Sequence, residues 1–259
     1  MSSHQPTAQP SLSIKNLQKH FDGVHAVDGL SLAFAPGKIT SIVGPNGSGK
    51  STLVNTLTGI HRADGGEIII GEKTRLRDVV SHRAAQYGMT RTFQDVRLFE
   101  QMPVIDNILV VLTERNIASA LVERHGPLHL ERAEAALRKV GLWEKRDELA
   151  ANLSYGQRKL LEIARVLAMV HGAAGGEISI IFFDEPFAGL FPEMIKTVIA
   201  VMKDLREAGY AVVLIEHNMD IIRELSDHLI VLDSGKLLVE GNPEQVLARA
   251  DVIEAYLGE

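Results

Sequence analysis

The chain has 259 residues, of which 46% are hydrophobic, and this is enough to form a packed core in one large or two small domains. Its 27 basic and 33 acidic residues give a net charge of −6, so the surface offers no general electrostatic attraction to nucleic acid, and no nucleic-acid partner is expected. The absence of cysteine excludes disulfides, thiolate catalysis and cysteine zinc sites, and it fits a reducing compartment.

The first part of the chain is predicted to be rich in strands. Residues 1–11 are polar and contain proline, and we expect a disordered N-terminal tail there rather than a signal peptide or an anchor. Apolar stretches at 12–14, 24–34 and 39–43 are separated by turn signals and predict strands. A helix is expected from 49 to about 58, and further strands at 67–70 and 89–93. Residues 12–94 therefore combine an antiparallel β subdomain with part of a core.

Helical periodicity dominates the middle of the chain. It is clearest at 104–112 and 130–140, so residues from about 95 to 153 are predicted to form a helical subdomain insert. A helix at 157–170 follows, and then strands at 178–183, 211–215 and 229–232 alternate with helices at 192–208 and 218–225. Such alternation predicts parallel strands with helical crossovers, which makes 12–259 a single α/β domain with its core in 12–94 and 154–259. No apolar run approaches the ~20 residues that span a bilayer.

The most specific motif is a phosphate-binding loop of the form G-x-x-x-x-G-K-S, placed between an apolar strand and a helix. It consists of Gly44, Pro45, Asn46, Gly47, Ser48, Gly49, Lys50 and Ser51, followed by Thr52. Glycines let successive N–H groups approach phosphate oxygens, and a helix N-terminus adds the positive end of its dipole. We expect Lys50 to reach the β and γ phosphates and the Ser51 hydroxyl to bind Mg²⁺. The alternative is a glycine-rich turn with a solvated lysine.

Two adjacent carboxylates, Asp184 and Glu185, end the apolar strand at 178–183. Taken alone they are better explained as an ordinary polar strand end, but an earlier phosphate-binding loop favours a role in catalysis. Adjacent strand residues point to opposite faces, so the two acids need different functions. Asp184 suits the metal ion, whereas Glu185 suits the polarisation of a water aimed at the γ phosphate.

A third motif, Leu153-Ser154-Tyr155-Gly156-Gln157, stands directly before a predicted helix. Ser154 is a credible helix N-cap, and that alone could explain it, yet a hydroxyl and a glycine at a helix start also make an anion site. At this point the sequence resembles the ATP-binding cassette (ABC) family, whose signature this pentapeptide is, with tyrosine in place of the commoner glycine. The resemblance extends from about residue 12 to 257 and implies the P-loop NTPase fold of ABC ATPases, with a RecA-like core.

The resemblance also implies roles for single residues. Phe21 matches the aromatic residue that stacks on adenine, with Val27 beside it, although a strand-edge aromatic packing locally is the alternative. Gln94 matches the glutamine that contacts both Mg²⁺ and the attacking water. His217 matches the histidine that contacts the γ phosphate, although a lone histidine at a strand end is usually a satisfied surface residue. With Glu185 as the general base, the implied activity is ATP hydrolysis with ATP and Mg²⁺, the latter held by Ser51, Gln94 and Asp184.

In the ABC family two cassettes face each other head to tail, so that each ATP lies between the phosphate-binding loop of one and the signature of the other. The resemblance therefore implies that Ser154, Gly156 and Gln157 bind the ATP of a second ABC ATPase subunit, identical or paralogous. It further implies integral-membrane permease subunits, indirectly a solute-binding protein, and a peripheral location on the cytoplasmic face of the membrane. Phe191 replaces the family's polar Asp or Asn in the loop after Glu185, so we expect an apolar dimer contact there.

The segments 91–99, 153–165 and 254–258 look like those of the branched-chain amino-acid importer cassettes. No residue of this chain is expected to contact the transported solute. A lipopolysaccharide-export cassette and a urea or amide cassette therefore remain alternatives within the transporter class. A soluble ABC ATPase that acts on nucleic acid or in cytosolic assembly is the alternative from another class.

Overall fold

The computed structural model describes residues 10–72, 74–112, 127–170 and 178–257, so most of the predicted N-terminal tail, residues 1–9, lies outside the described residues. The strands are β1 (Leu12–Phe21), β2 (Val24–Phe34), β3 (Ile39–Val43), β4 (Gly65–Ile70), β5 (Thr74–Leu76), β6 (Met89–Arg91), β7 (Ile180–Asp184), β8 (Ala211–Ile215), β9 (His228–Asp233) and β10 (Lys236–Gly241). The helices are α1 (Lys50–Leu57), α2 (Val104–Leu112), α3 (Pro127–Lys139), α4 (Tyr155–Val170), α5 (Pro192–Glu207), α6 (Met219–Leu225), α7 (Pro243–Leu247) and α8 (Ala250–Leu257).

The strands form two sheets. The first has the order β2-β1-β4-β5 and is antiparallel throughout. The second has the order β10-β9-β3-β8-β7-β6, in which β9, β3, β8, β7 and β6 run parallel and β10 is antiparallel to β9. The predicted α/β fold, with a largely parallel core sheet and an antiparallel β subdomain, is confirmed.

The central strands of the second sheet are the apolar runs that stand out in the sequence. Every residue of β3, β7 and β8 is buried, because helices and the first sheet cover both faces of a parallel sheet. Since these three strands are neighbours and parallel, their carboxyl ends meet at one edge of the sheet. That edge is where open α/β sheets bind their ligands.

The helical part of the molecule packs as one unit around α4. Helices α2 and α3 contact each other and α4, and α4 also contacts α5 of the core. The boundary that we predicted at residue 153 therefore separates α4 from the two helices against which it packs. The described part of the chain contains no helix that is both long enough and apolar enough to span a membrane.

Candidate active site

A cleft of about 230 Å³ opens at the carboxyl edge of the core sheet. Its lining consists of Asn46, Gly47, Gly49, Lys50, Ser51, Thr52, Gln94, Glu185 and His217. All nine residues are ones that the sequence singled out, although they come from four separate parts of the chain. The cleft is smaller than the roughly 300–1,000 Å³ of typical small-molecule pockets, so it suits the phosphate end of a nucleotide better than a whole nucleotide.

The phosphate-binding loop joins β3 to α1 and is closed around the ammonium group of Lys50. The Nζ atom donates to the carbonyl oxygens of Gly44 at 2.7 Å and Pro45 at 2.8 Å, and it lies 3.4 Å from the Ser48 hydroxyl. Gly44 and Ser48 are buried behind the cleft, which explains why they do not line it. The loop is thus held ready for an anion, with a positive side chain and the start of α1 facing the same space.

Asp184 lies behind the cleft at the end of β7, with 3% of its surface exposed. Its Oδ2 atom accepts from Arg91 at 3.1 Å, while its Oδ1 atom is buried and has no hydrogen-bond partner. Burial raises the pKa of Asp184, and the Arg91 guanidinium acts in the opposite direction. Arg91, which our sequence analysis did not assign, is itself fixed by bonds to Asn55 and Thr58.

The unpartnered oxygen of Asp184 fits a magnesium ion. A hard cation satisfies a buried carboxylate oxygen and removes the cost of leaving it unpaired. Within the described ranges no group of three His, Asp or Glu side chains could hold a metal, so a purely protein cage is absent there. Such a site suits Mg²⁺, which commonly takes one or two protein oxygens and completes its shell with water and phosphate.

Glu185 and His217 contact each other in the cleft. The Nε2 atom of His217 lies 2.8 Å from Oε1 of Glu185. Glu185 has a φ of 47°, a left-handed conformation that is uncommon for residues other than glycine, and its backbone N–H donates to the carbonyl of Ile215. Strain of this kind occurs where surrounding contacts fix the residue, which is common at functional sites.

Two charged residues of α4, which the sequence analysis left without a role, bond to the loops that carry site residues. Lys159 donates to the carbonyl oxygen of Glu185, and Glu162 accepts from the N–H of Phe93, directly before Gln94. Both side chains are buried. The sequence does carry a signal for these two residues. A lysine and a glutamate stand three residues apart among apolar residues of a predicted helix, at positions that face the core.

The two residues predicted to lie at adenine differ in their exposure. Phe21 at the end of β1 is 40% exposed, with Lys19 Nζ 5.0 Å from the centre of its ring and the His61 ring edge-on at 5.1 Å. Val27, in contrast, has no exposed surface and packs in the core between the two sheets. The prediction that it lies beside adenine stays a prediction.

The signature residues lie at the start of α4 and do not line the cleft. The N–H of Gln157 donates to the Ser154 hydroxyl at 3.3 Å, and the N–H of Ser154 donates to Gln157 Oε1 at 3.0 Å, which is a capping box. Gly156 is buried, and a Cβ at this position would lie 2.6 Å from Sδ of Met194. Local capping and packing account for these residues within one chain, and the prediction that they bind the nucleotide of a second chain stays a prediction.

Sequence comparison identifies the relatives of this chain. The family described as "ABC transporter" matches residues 27–188, and the family described as "Branched-chain amino acid ATP-binding cassette transporter" matches residues 236–259. The high-affinity branched-chain amino acid transport ATP-binding protein LivG of Escherichia coli is 37% identical over 97% of this chain and 99% of its own length. The corresponding protein BraF of Pseudomonas aeruginosa has the same identity and coverage.

Solved structures agree with this assignment. An ATP-binding cassette of an ABC transporter in its ADP conformation superposes with a TM-score of 0.82 at 32% identity, covering 97% of this chain and all of that one. A nucleotide-free cassette from an ABC transporter gives 0.81 at 31% identity, with the same coverage. The chain therefore belongs to the ABC transporter family, as an ATP-hydrolysing subunit of the transporter.

Proposed function

We propose that this ATPase drives the uptake of branched-chain amino acids through separate membrane permease subunits, to which it binds on the cytoplasmic face. The observation that carries the proposal is similarity over nearly the whole chain to LivG and BraF, whose names state that activity, together with the C-terminal family match at 236–259. A solute-binding protein would deliver the amino acid to the permeases.

The site residues support a mechanism of in-line attack by water on the γ phosphate of ATP. Lys50 is placed to release the loop carbonyls that it now contacts and to bind the phosphates instead. Glu185 would accept the proton of the attacking water, with His217 orienting the carboxylate through the contact at Oε1. Gln94 lines the same cleft and would orient the water.

Ser51 and Asp184, with Gln94, would hold the Mg²⁺ ion, which when bound neutralises charge on the phosphates. Lys50 would stabilise the remaining negative charge as the bond to the γ phosphate breaks. The unpartnered Oδ1 atom of Asp184 is the feature that supports this assignment.

A second cassette completes the site in this proposal. The cleft is lined by none of the signature residues, and Ser154 is exposed at the start of α4, outside the cleft. A head-to-tail pair would bring the α4 N-terminus of each chain to the nucleotide of the other. ATP would then hold the two chains together, and hydrolysis would release them.

Uptake by the reconstituted transporter tests the proposal. The chain is combined with branched-chain amino-acid permeases and a solute-binding protein of its own organism, and ATP-dependent uptake of labelled leucine and labelled urea into vesicles is measured. We expect leucine uptake that is lost when the cassette carries Glu185→Gln. Uptake of urea in place of leucine, or co-purification with RNA instead of permeases, would contradict the proposal and favour one of the alternative functions.

A further inference from the structure

Helix α4 carries three charged side chains that bond to neighbouring segments of the protein. Lys159, Glu162 and Arg165 are spaced three residues apart, so each successive pair lies on adjoining parts of the helix surface, with Lys159 and Arg165 about 120° apart around its axis. Each one makes a hydrogen bond to main-chain atoms of another segment. Lys159 and Glu162 are buried and Arg165 is half-buried, and burying charged groups is costly unless they are paired or hydrogen-bonded, so their contacts need an explanation.

Lys159 joins the start of α4 to the end of β7. Its Nζ atom donates to the carbonyl oxygen of Glu185 at 2.7 Å, and the same atom lies 5.6 Å from the centre of the Tyr155 ring. The Tyr155 ring in turn packs on the loop after Glu185. The ring is so close to Gly189 that a Cβ on this glycine would lie 2.9 Å from it. One lysine therefore contacts both the signature segment and the strand end that carries the proposed base.

The other two residues hold the segment around Gln94. Glu162 accepts from the Phe93 N–H at 2.9 Å, and Arg165 donates to the carbonyl oxygen of Arg97. Gln94 lies between these two anchor points. Helix α4 thus holds the main chain at Glu185 and beside Gln94, two of the polar residues that line the cleft.

Lys159 is buried close to four carboxylates, whose negative charges favour its positive charge. Lys159 is 4% exposed, and it interacts electrostatically with Glu162, Glu185, Glu216 and Asp184. Burial lowers the pKa of Lys159, and these carboxylates oppose that effect. A buried cation among four acids offsets their mutual repulsion next to the site, which an apolar residue of the same size would not do.

We propose that Lys159 is a positioning residue for ATP hydrolysis: it holds the main chain of Glu185 in its left-handed conformation and links that residue to the signature start of α4. The inference rests on the proposed role of Glu185 as the base. Without the bond, the backbone at Glu185 would relax away from a φ of 47°, and the carboxylate would leave its contact with His217. The two ATP sites of a dimer would then communicate through α4, because its first turn faces one nucleotide while Lys159 supports the base at the other.

Steady-state ATP hydrolysis and equilibrium ATP binding of the purified full-length chain test this role. Lys159→Met keeps the length of the side chain and removes the donor, and we expect kcat to fall by about 10- to 100-fold, as for other small misplacements of catalytic groups. The dissociation constant for ATP should stay within about twofold, because the phosphate-binding loop is untouched. Lys159→Arg keeps a donor and should retain more of the rate than Lys159→Met.

Lys38→Met is the matched control, since Lys38 is exposed at the opposite end of β3 and its loss should change neither constant. Thermal melting shows whether each variant is folded, and Lys159→Gln replaces Lys159→Met in the assay if the latter is not. An unchanged kcat in a folded variant, or an equal loss in Lys159→Arg and Lys159→Met, would overturn the inference. If Glu185→Gln hydrolyses ATP at the parent rate in the same assay, the proposed base is wrong instead.

Discussion

The site depends on a few charged groups that are buried rather than exposed. Asp184 and Arg91 pair beneath the cleft, and Glu162 and Lys159 lie under the two loops beside it. Exposed ion pairs contribute at most about 1 kcal/mol, but a buried charge has a large effect on the energy of its surroundings. Single substitutions at these positions should therefore be measurable in stability as well as in activity.

Glu162 provides a test of stability at the residue scale. Burial raises its pKa to about 7, partly opposed by the bond from the Phe93 N–H, whereas in an unfolded chain it would titrate near 4.5. Between those two pH values the folded protein holds a proton that the unfolded chain has lost. The contribution of Glu162 to the free energy of unfolding therefore falls as pH rises through this range, by about 3 kcal/mol in all.

Glu162→Gln keeps an acceptor for the Phe93 N–H and cannot ionise. The free energy of unfolding of this variant therefore does not contain the pH-dependent decrease that Glu162 causes. We expect the variant to gain stability relative to the parent on going from about pH 5 to about pH 8, by up to about 3 kcal/mol in urea unfolding experiments. Glu193→Gln, at an exposed position of α5, is measured beside it as the control for the exchange of a glutamate for a glutamine. A constant difference for Glu162→Gln would show that Glu162 is not buried as a neutral acid.

At the scale of elements, the loop between β3 and α1 depends on close approach of the backbone. Gly49 has a φ of 100°, and a Cβ on it would lie 2.1 Å from the carbonyl oxygen of Ala26 in β2. Gly47 has a φ of 78°, but a Cβ there would meet no atom within 4 Å. An alanine at Gly47 would therefore introduce only backbone strain, whereas an alanine at Gly49 would also clash with the neighbouring strand.

We expect Gly49→Ala to reduce the free energy of unfolding by about 3 kcal/mol or more and to abolish ATP binding, since the loop must move away from β2. Gly47→Ala meets no neighbouring protein atom, so it should lower the free energy of unfolding only by the left-handed strain, about 1–2 kcal/mol, and should still fold. Thermal melting and ATP titration of both variants make the comparison. Equal effects of the two substitutions would argue against a close contact between the loop and β2.

Most elements could be predicted from the sequence because their patterns are local. The boundaries of β2, β3, α2 and β8 agree with the predicted ones, since each is an apolar or amphipathic run with turn signals beside it. β1 is longer than predicted, because its second half alternates weakly and is fixed by pairing with β2. The antiparallel β10 and the short helices α7 and α8 were not predicted at all.

The site residues also fall into two groups, those that a local sequence pattern predicts and those that only tertiary contacts reveal. Residues in contiguous motifs, such as Lys50 and Glu185, could be located because the spacing itself carries the chemistry. Arg91, Lys159 and Glu162 act through tertiary contacts between segments that are far apart in sequence, and nothing local marks them as partners. Val27 was assigned by resemblance, and only its burial shows that its side chain faces the core.

At the scale of the whole molecule, Phe191 is the most exposed of the large apolar side chains that the structure describes, with 71% of its surface accessible. It is the N-cap of α5 and makes no side-chain capping bond. In the proposed dimer this side chain lies in the loop that faces the second cassette. An exposed aromatic residue at a capping position, where Asp is preferred, suggests that association rather than helix stability accounts for it.

Phe191→Asp should therefore have opposite effects on the single chain and on the dimer. An aspartate can cap α5 and should raise the free energy of unfolding by about 1 kcal/mol, while a charge in place of an aromatic ring should weaken ATP-dependent dimerisation. Urea unfolding measures the first effect and sedimentation the second. Unchanged dimerisation and unchanged ATPase activity in the variant would show that Phe191 is incidental.

Sedimentation of the Glu185→Gln variant with ATP and Mg²⁺ tests most directly whether one chain contains only half of a nucleotide site. Without the proposed base, bound ATP is not hydrolysed and should hold two copies together, so the sedimenting mass should rise from 28.3 kDa to twice that value. The same variant with Lys50→Ala added should remain at the lower mass, because it cannot bind the phosphates. A Glu185→Gln chain that stays monomeric when saturated with ATP, or that hydrolyses ATP at the parent rate, would contradict the two-chain site.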